Sequence, residues 1–319
     1  NFSMQKKRLI SGIQPSGRLH IGNYFGALKQ FVDLQDKYEC LIMVADYHSL
    51  HTVKNANDLK LNILNTAMDY IAAGLDPKKV TIFQQSQVSE HTELAWIFST
   101  ITTMPYLMRA HAFKDAEAKN KDITAGTFNY PMLMAADILL YDPEIVPVGQ
   151  DQKQHIEITR DTAMKFNSTY SEVFKLPEGY IIESVATVPG VDGRKMSKSY
   201  NNTIPLFAER DEIEKAVMGI VTDSGGDIPT NVYEIHKLFR SEDDLKSIYS
   251  EHKGKYKALK DILVEDIESF IKPMREKRRE LENNPDLVIS IINEGSKNAK
   301  DIASQKMAQI RAAVGVTLD

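Results

Sequence analysis

Short apolar segments alternate with amphipathic segments over the first half of the chain. Apolar runs typical of buried strands occupy Arg8–Ile13, Cys40–Ala45 and Val80–Gln85. Patterns with apolar residues at three- and four-residue spacing, typical of helices, begin near Gly22, Asp58 and Glu90. Because strands that alternate with helices form right-handed crossovers into a parallel sheet, the pattern predicts an α/β fold with a Rossmann-like parallel sheet.

The pattern changes after Pro205, where helical periodicity continues and strand signals are nearly absent. Helices are predicted at Asp211–Met218, Asn231–Phe239, Leu245–Glu251, Tyr256–Glu282 and about Ser296 to Ala313. The chain is therefore predicted to consist of a Rossmann-like domain over residues 4–204 and a C-terminal α-helical domain over residues 205–319.

Charge and hydropathy narrow the classes of function. The 319 residues carry a net charge of −5, which argues against a general nucleic-acid coat protein, although a local basic face would be enough for a specific RNA partner. No apolar run approaches the roughly 20 residues that span a bilayer, and no secretory signal pattern is present, so a cytoplasmic protein without a membrane segment is expected. Asn1–Ser3 precede Met4 and are left out of the fold prediction, because they could be a tag remnant.

Cysteine usage and two missing motifs exclude further classes. Cys40 is the one cysteine, so an intrachain disulfide, a cysteine-rich zinc site and a cysteine-ligated iron–sulfur cluster are excluded. The chain has no Gly-x-Gly-x-x-Gly fingerprint and no Walker A sequence, which argues against a dehydrogenase or a P-loop ATPase.

A glycine-rich turn joins the first predicted strand to the first predicted helix. It contains Gln14, Pro15 and Ser16, and the helix begins about Gly22 beside His20 and Asn23. Backbone N–H groups at a helix N-terminus attract phosphate, and glycine lets a ligand approach the backbone. The turn therefore predicts a nucleotide site, although an ordinary surface connection has the same local pattern.

A second candidate motif is the loop Lys195-Met196-Ser197-Lys198-Ser199, which follows Gly193. Two lysines spaced three apart, with hydroxyls between them, suit a mobile loop that closes on the charge of a leaving polyphosphate. Taken alone, the loop could equally be a solvated basic segment.

A single acid lies in the apolar segment Tyr130–Tyr141, which is predicted to begin a helix with Pro131 as an early residue. Asp137 is surrounded there by apolar residues, and a buried carboxylate requires hydrogen-bond donors. Two interpretations remain: a neighbouring backbone group or a basic side chain satisfies Asp137, or Asp137 is the acceptor of an apolar ligand pocket.

The turn and the loop together resemble the two signatures of class I aminoacyl-tRNA synthetases, written HIGH and KMSKS. They stand here as His20-Ile21-Gly22-Asn23 and Lys195–Ser199, in the expected order and about one Rossmann domain apart. Asn23 replaces the second histidine, as is common in the tryptophanyl branch. Tyr130–Tyr141 and Val146–His155 also resemble the bacterial type of tryptophanyl-tRNA synthetase.

The resemblance assigns site residues in three groups. The catalytic residues it implies are His20, Asn23, Lys195 and Lys198. The ATP-binding residues it implies are Gln14, Pro15, Ser16, Gly22, Asn23, Gly149, Gln150, Asp151, Lys195, Met196, Ser197, Lys198 and Ser199. For tryptophan, it implies Asp137 at the indole nitrogen, with Tyr130, Met134, Val148 and Gln152 around the ring and the amino group. Mg²⁺ is expected on phosphate oxygens, without a protein side-chain ligand.

The implied reaction joins L-tryptophan to ATP, releases pyrophosphate and passes the tryptophanyl group to the 3′-terminal adenosine of tRNA(Trp). The resemblance also implies a homodimer, an insertion at about residues 101–126 and an anticodon-binding role for the helical domain. Met104, Leu107 and Phe128 are candidates for the dimer contact. The basic residues Lys272, Arg275, Lys277, Arg278 and Arg279 could face tRNA, although a solvated helix face is the more common reading.

One position departs from the family pattern. Ala112 stands where relatives often carry a glutamine that could hold the substrate, and His111 or Gln85 could replace it. Three alternative functions also remain at this point: a tyrosyl-tRNA synthetase with the same signatures, a small nucleotidyltransferase with a similar turn, and a non-catalytic tRNA-binding paralogue. The Val148–His155 segment favours tryptophan over tyrosine.

Overall fold

A five-stranded parallel sheet forms the centre of the molecule. The structure is a computed structural model and describes residues 6–118, 122–148, 153–181, 187–222 and 226–318. The strands are β1 (Arg8–Ile13), β2 (Glu39–Val44), β3 (Val80–Gln84), β4 (Ile145–Val148) and β5 (Glu178–Ile181), in the spatial order β3-β2-β1-β4-β5. The predicted α/β fold is confirmed, and β4 and β5 extend the three strands expected from the sequence.

The strand order places a crevice between β1 and β4. The strands β2 and β3 follow β1 in the chain and lie on one side of it. The later strands β4 and β5 lie on its other side. In a sheet of this kind, ligands bind outside the carboxyl ends of the two strands where the direction of winding reverses. The residues after Ile13 border that crevice.

Both faces of the sheet are buried. On β1 and β2, Leu9 and Ile42 belong to one apolar cluster, and their sequence neighbours Ile10 and Leu41 belong to the other. Successive side chains of a strand point to opposite faces, so helices must cover both sides.

The described residues form fourteen helices. In the first two thirds of the chain they are α1 (Ile21–Asn23), α2 (Lys29–Leu34), α3 (Asp46–Ser49), α4 (Ala56–Ala72), α5 (Glu90–Ile101), α6 (Met104–Leu107), α7 (His111–Ala118), α8 (Ala125–Leu139) and α9 (Lys153–Thr169). The remainder are α10 (Arg210–Met218), α11 (Thr230–His236), α12 (Glu242–Glu251), α13 (Tyr256–Glu282) and α14 (Pro285–Val314). A π-helical turn, Tyr24–Leu28, joins α1 to α2. Across these described ranges, no helix is both long enough and apolar enough to cross a membrane.

Two predicted helix starts are wrong. α8 begins at Ala125, because the Thr124 side chain accepts a hydrogen bond from Thr127 N–H and caps the helix; Pro131 therefore lies inside α8. α14 begins at Pro285 rather than near Ser296, capped by the Asn284 side chain. In both cases a residue that often begins or ends a helix, Pro131 or Gly295, lies inside the helix. Capping and packing decide where the helix begins.

The last helix crosses the edge of the sheet at β3. A side chain on Gly295 would place its Cβ 1.9 Å from the carbonyl oxygen of Ile82, so only glycine permits this approach. The next residue, Ser296, accepts a hydrogen bond from the N–H of Gln84 at 3.0 Å. Val288 and Ile292 before the crossing join one apolar cluster, and residues from Ala299 onward join the other. The apolar core is therefore continuous across the predicted boundary at residue 204, and the division into two domains stays a prediction.

Candidate active site

The turn after β1 is ordered by its own backbone and by the first helix. Ser16 N–H donates to the carbonyl of Gln14 at 2.9 Å, and Gly17 has φ +102°, a left-handed conformation that favours glycine. Asn23 Oδ1 accepts from the backbone N–H of His20 at 3.0 Å. Since this oxygen caps α1, the amide NH₂ of Asn23 is the part of the side chain suited to a phosphate oxygen.

His20 is buried and neutral at the start of α1. Burial, followed by the positive charge of Lys198, lowers the pKa of His20 to about 4. Its Nδ1 has no hydrogen-bond partner within the described parts of the chain. A Cβ on Gly22 would lie 2.8 Å from this nitrogen, so glycine makes room for the imidazole. His20 therefore offers a neutral imidazole for hydrogen bonding.

The segment Lys195–Ser199, called the lid below, lies against this turn. Lys198 Nζ donates to the carbonyl oxygen of Ser16 at 3.1 Å and lies 3.3 Å from its hydroxyl. Met196 is buried, and its Cβ would be 3.3 Å from a Cβ on Gly22. The structure thus brings the two candidate phosphate-binding segments into direct contact.

A buried asparagine that sequence reasoning missed holds the lid backbone. Asn202 is 1% exposed; its Oδ1 accepts from Ser197 N–H at 2.8 Å, and its Nδ2 donates to the carbonyl of Lys195 at 3.1 Å. A Cβ on Gly190 would approach Asn202 Nδ2 to 2.2 Å. The paired asparagines directly after the lid were a visible signal, but their sequence does not reveal which of them turns inward.

Asp137 is the centre of a buried polar cluster. Its Oδ1 accepts from Gln85 Nε2 at 2.8 Å and lies 2.6 Å from His91 Nδ1, and its Oδ2 lies 2.6 Å from His48 Nε2. Tyr141 Oη lies 2.7 Å from the other ring nitrogen of His91. Neighbouring side chains therefore satisfy Asp137, and Oδ2 keeps one further acceptor position. The role of Asp137 as the acceptor of a ligand pocket stays a prediction.

These contacts keep the carboxylate ionised. Burial alone would raise the pKa of Asp137, but the charge and hydrogen bonding of His48 and then of His91 outweigh it and lower the pKa to about 2. Sequence reasoning missed both histidines. His48 follows the end of β2 and His91 lies at the start of the helix after β3, so the carboxyl ends of adjacent strands were the available signal.

The structure describes some of the remaining predicted pocket residues and not others. The Tyr130 ring packs edge-on against His48 with centroids 4.8 Å apart, and Met134 is buried on the same helix as Asp137. Gly149, Gln150, Asp151 and Gln152 lie outside the described residues, as do the side chains of His111, Ala112 and Val148.

The basic residues of α13 largely serve the fold. Arg275 pairs with Glu268 at 2.6 Å, Arg278 with Asp69 at 2.6 Å, and Lys277 with Glu280 at 2.9 Å, while Arg279 pairs with Glu209. Of the predicted dimer contacts, Leu107 is 3% exposed and belongs to the core, whereas Met104 is 66% exposed.

Known proteins are similar to this chain in sequence and architecture over almost its whole length. The family model for class I tRNA synthetases of the tryptophan and tyrosine type matches residues 4–283. A tryptophan–tRNA ligase of Fusobacterium nucleatum is 51% identical, over 97% of this chain and 98% of that protein. A tryptophan–tRNA ligase of Rhodopirellula baltica is 44% identical, over 97% of this chain and 99% of that protein.

Solved structures agree with these relatives. Tryptophanyl-tRNA synthetase of Campylobacter jejuni, complexed with ADP and tryptophan, superposes with a TM-score of 0.89 at 43% identity, over 97% of this chain and 99% of that one. Tyrosyl-tRNA synthetase of Archaeoglobus fulgidus, at 19% identity and a TM-score of 0.66 over 86% of this chain and 91% of that one, shares the fold alone. The family model matches most of the chain, and two tryptophan–tRNA ligases are 51% and 44% identical to it. The chain therefore belongs to the class I tRNA synthetases, in the branch of the tryptophan–tRNA ligases.

Proposed function

We propose that this tryptophan–tRNA ligase forms tryptophanyl-adenylate between the turn after β1 and the lid. The observation that carries the proposal is the contact of Lys198 Nζ with Ser16, which brings the two proposed phosphate-binding segments together. The carboxylate of tryptophan is ionised at neutral pH and attacks the α-phosphorus without a general base. Catalysis then depends on positioning and on stabilising the charge of the leaving pyrophosphate.

The triphosphate is assigned to residues of both segments. The neutral imidazole of His20 and the amide NH₂ of Asn23 bind phosphate oxygens, and the ammonium groups of Lys195 and Lys198 neutralise pyrophosphate. ATP also contacts Gln14, Pro15, Ser16, Gly22, Met196, Ser197 and Ser199, with Gly149, Gln150 and Asp151 at the ribose and base.

Mg²⁺ is assigned to the phosphate oxygens of the nucleotide. In the described ranges, the chain offers no group of three or more His, Cys, Asp or Glu side chains that could hold a metal ion. The donors near the turn are ammonium, imidazole, amide and hydroxyl groups, which suit phosphate. Mg²⁺ on the phosphate oxygens would supply additional charge neutralisation.

Tryptophan is assigned to the pocket around Asp137. The indole N–H donates to Oδ2, which receives one hydrogen bond from His48 and has a second acceptor position. Tyr130, Met134 and Val148 surround the ring, and Gln152 binds the amino group. Because the carboxylate stays ionised, it remains an acceptor throughout the neutral range.

In the second step, the tryptophanyl group passes to the 3′-terminal adenosine of tRNA(Trp), and the helical C-terminal region recognises the anticodon. The enzyme is proposed to act as a cytoplasmic homodimer. Trp96 on α5, Met104 on α6 and Met108 just after α6 are 72%, 66% and 45% exposed, and an apolar surface of this kind suits a subunit contact.

The dimer has a direct test. Trp96 is the only tryptophan of the chain, so its fluorescence reports on this surface. Sedimentation of Trp96→Asp is expected to show a monomer where the unchanged chain is a dimer, whereas Leu61→Asp, at another exposed apolar position, leaves the dimer intact. A dimeric Trp96→Asp variant would place the subunit contact elsewhere.

Amino-acid-dependent exchange of labelled pyrophosphate into ATP tests the activation step. Each of the twenty amino acids is assayed separately with Mg²⁺, and exchange is expected with tryptophan alone. Exchange with tyrosine instead would overturn the pocket assignment and leave the phosphate site standing. Binding of tRNA without any exchange would indicate a non-catalytic paralogue, and binding of ATP alone would indicate another nucleotidyltransferase.

A further inference from the structure

Arg194 and Tyr200 form a stacked pair at the two ends of the lid. The guanidinium carbon of Arg194 lies 4.2 Å from the centroid of the Tyr200 ring. Neither group is buried: the Arg194 side chain is 61% exposed, and Tyr200 is 49% exposed. An aromatic ring and a planar cation are thus presented to solvent directly beside the proposed phosphate site.

The pair is held in place by an inward-pointing chain of hydrogen bonds. Asp192 accepts from the backbone N–H of Arg194 at 3.0 Å and from its Nε at 2.7 Å. Asp192 in turn accepts from Nδ2 of the buried Asn202 at 2.7 Å. The buried Asn202 therefore fixes the orientation of the exposed guanidinium through Asp192. Because the guanidinium is already oriented, less entropy is lost when a ligand binds.

Asn202 also links this pair to the lid itself. Its Oδ1 accepts from Ser197 N–H, while its Nδ2 reaches both Asp192 and the carbonyl of Lys195. One buried amide thus positions the lid backbone and the Arg194–Tyr200 pair together. A ligand stacked on the pair would be held in a defined place relative to the lid.

The chemistry of the pair fits single-stranded RNA. Unpaired bases stack on tyrosine rings and on guanidinium planes, and neighbouring lysines attract the phosphates. Lys195 and Lys198 supply such charges, while the nearby acid Asp192 is paired with Arg194. This basic and aromatic surface belongs to a chain whose net charge is −5.

We propose that Arg194 and Tyr200 bind the unpaired 3′ nucleotides of tRNA and guide the terminal adenosine to the adenylate. This rests on the proposed transfer to tRNA. Tyr200 provides the stacking surface, and the guanidinium of Arg194, held by Asp192, provides a second plane. Because ATP and tryptophan are assigned to other residues, the pair serves the second step and not the first.

The test separates the two steps of the reaction in one set of variants. For Tyr200→Ala, the KM for tRNA in aminoacylation is expected to rise about tenfold, the size expected for losing one base stack. Pyrophosphate exchange with tryptophan is expected to keep its kcat and its KM for ATP. Tyr200→Phe, which retains the ring, restores the KM for tRNA, and Tyr170→Ala, at a tyrosine that is 41% exposed after α9, leaves it unchanged.

Binding of a shortened tRNA provides a second readout. Removal of the unpaired 3′ nucleotides is expected to weaken binding to the unchanged enzyme, and Tyr200→Ala then has no further effect. The inference is overturned if Tyr200→Ala raises the KM for ATP, which would place adenine on the ring, or if it weakens intact and shortened tRNA equally. If the unchanged enzyme activates tryptophan but neither binds nor charges tRNA, the proposed second step fails instead.

Discussion

Two carboxylates of this molecule are buried to nearly the same extent, but their pKa values are shifted in opposite directions. Asp137 on α8 is 4% exposed and has its pKa lowered to about 2. Asp69 on α4, a helix on the other face of the sheet, is 3% exposed and has its pKa raised to about 6. Burial favours the neutral acid in both, so the surrounding groups make the difference.

The positions of the donors explain the contrast. Asp137 receives hydrogen bonds on both oxygens, from Gln85 and His91 on one and from His48 on the other. The hydrogen bond that the structure gives Asp69 comes from Arg278 Nε, beside a cavity of about 360 Å³ that Arg18 also borders. Burial is the largest influence on Asp69, and the Arg278 charge offsets it only in part. For Asp137 the charge and hydrogen bonds of two histidines outweigh burial, whereas for Asp69 the charge and hydrogen bond of one arginine do not.

The largest expected effect is on activity. Asp137→Asn is expected to lower kcat/KM for tryptophan in pyrophosphate exchange by roughly 100-fold, the size of losing a hydrogen bond to a charged acceptor. The KM for ATP is expected to stay unchanged, because the phosphate site is separate. Asp69→Asn is the matched control for removing a buried carboxylate, and its kcat/KM for tryptophan should stay close to that of the unchanged enzyme. Equal losses in both variants would mean that folding, and not indole recognition, requires Asp137.

The second prediction concerns stability and pH. The pKa of Asp69 is about 6 in the folded protein and about 3.9 when unfolded, so between these values the folded state binds the extra proton and stability falls as pH rises. The free energy of unfolding of the unchanged chain, relative to Asp69→Asn, should fall by about 2–3 kcal/mol from pH 4 to pH 7. Urea unfolding of both variants across this range measures the difference. If the difference in unfolding free energy did not change with pH, Arg278 would fully compensate the burial of Asp69. The pKa values of Asp69 and Asp137 would then not be shifted in opposite directions.

Asp137 should show the opposite dependence. Its folded pKa of about 2 lies below the unfolded value, so its contribution to stability is present above about pH 4 and is lost as pH falls toward 2. The free energy of unfolding relative to Asp137→Asn is therefore expected to decrease by about 2 kcal/mol over that acidic interval. An increase on acidification would show that the histidine contacts do not overcome burial.

The smallest expected effect is at the outer end of the Asp137 cluster. Tyr141→Phe removes the hydroxyl next to His91 Nε2 and leaves that buried nitrogen without its partner, which should cost about 1–2 kcal/mol of unfolding free energy. The KM for tryptophan should rise only a few-fold, because His48 and Gln85 still contact Asp137 directly. A loss of activity as large as that of Asp137→Asn would show that His91 alone controls the position and charge of the Asp137 carboxylate.

Local sequence patterns predicted the repeating parts of the fold well. The bounds of β1 and of α13 agree with the predicted segments, because strand and helix periodicity depend on near neighbours in the chain. The helix starts at Ala125 and Pro285 were missed, since a cap or a close contact such as Gly295 against Ile82 decides them.

The sequence by itself determined the fold class, the two signatures and the family, because strand–helix alternation and short motifs are written in consecutive residues. Only the tertiary structure decided which groups meet. Lys198 and Ser16 are 182 residues apart, and Asp137 lies 89 residues from His48. The sheet order brings these residues to one edge, and burial then sets whether each carboxylate keeps its charge, which depends on neighbours in space and not in sequence.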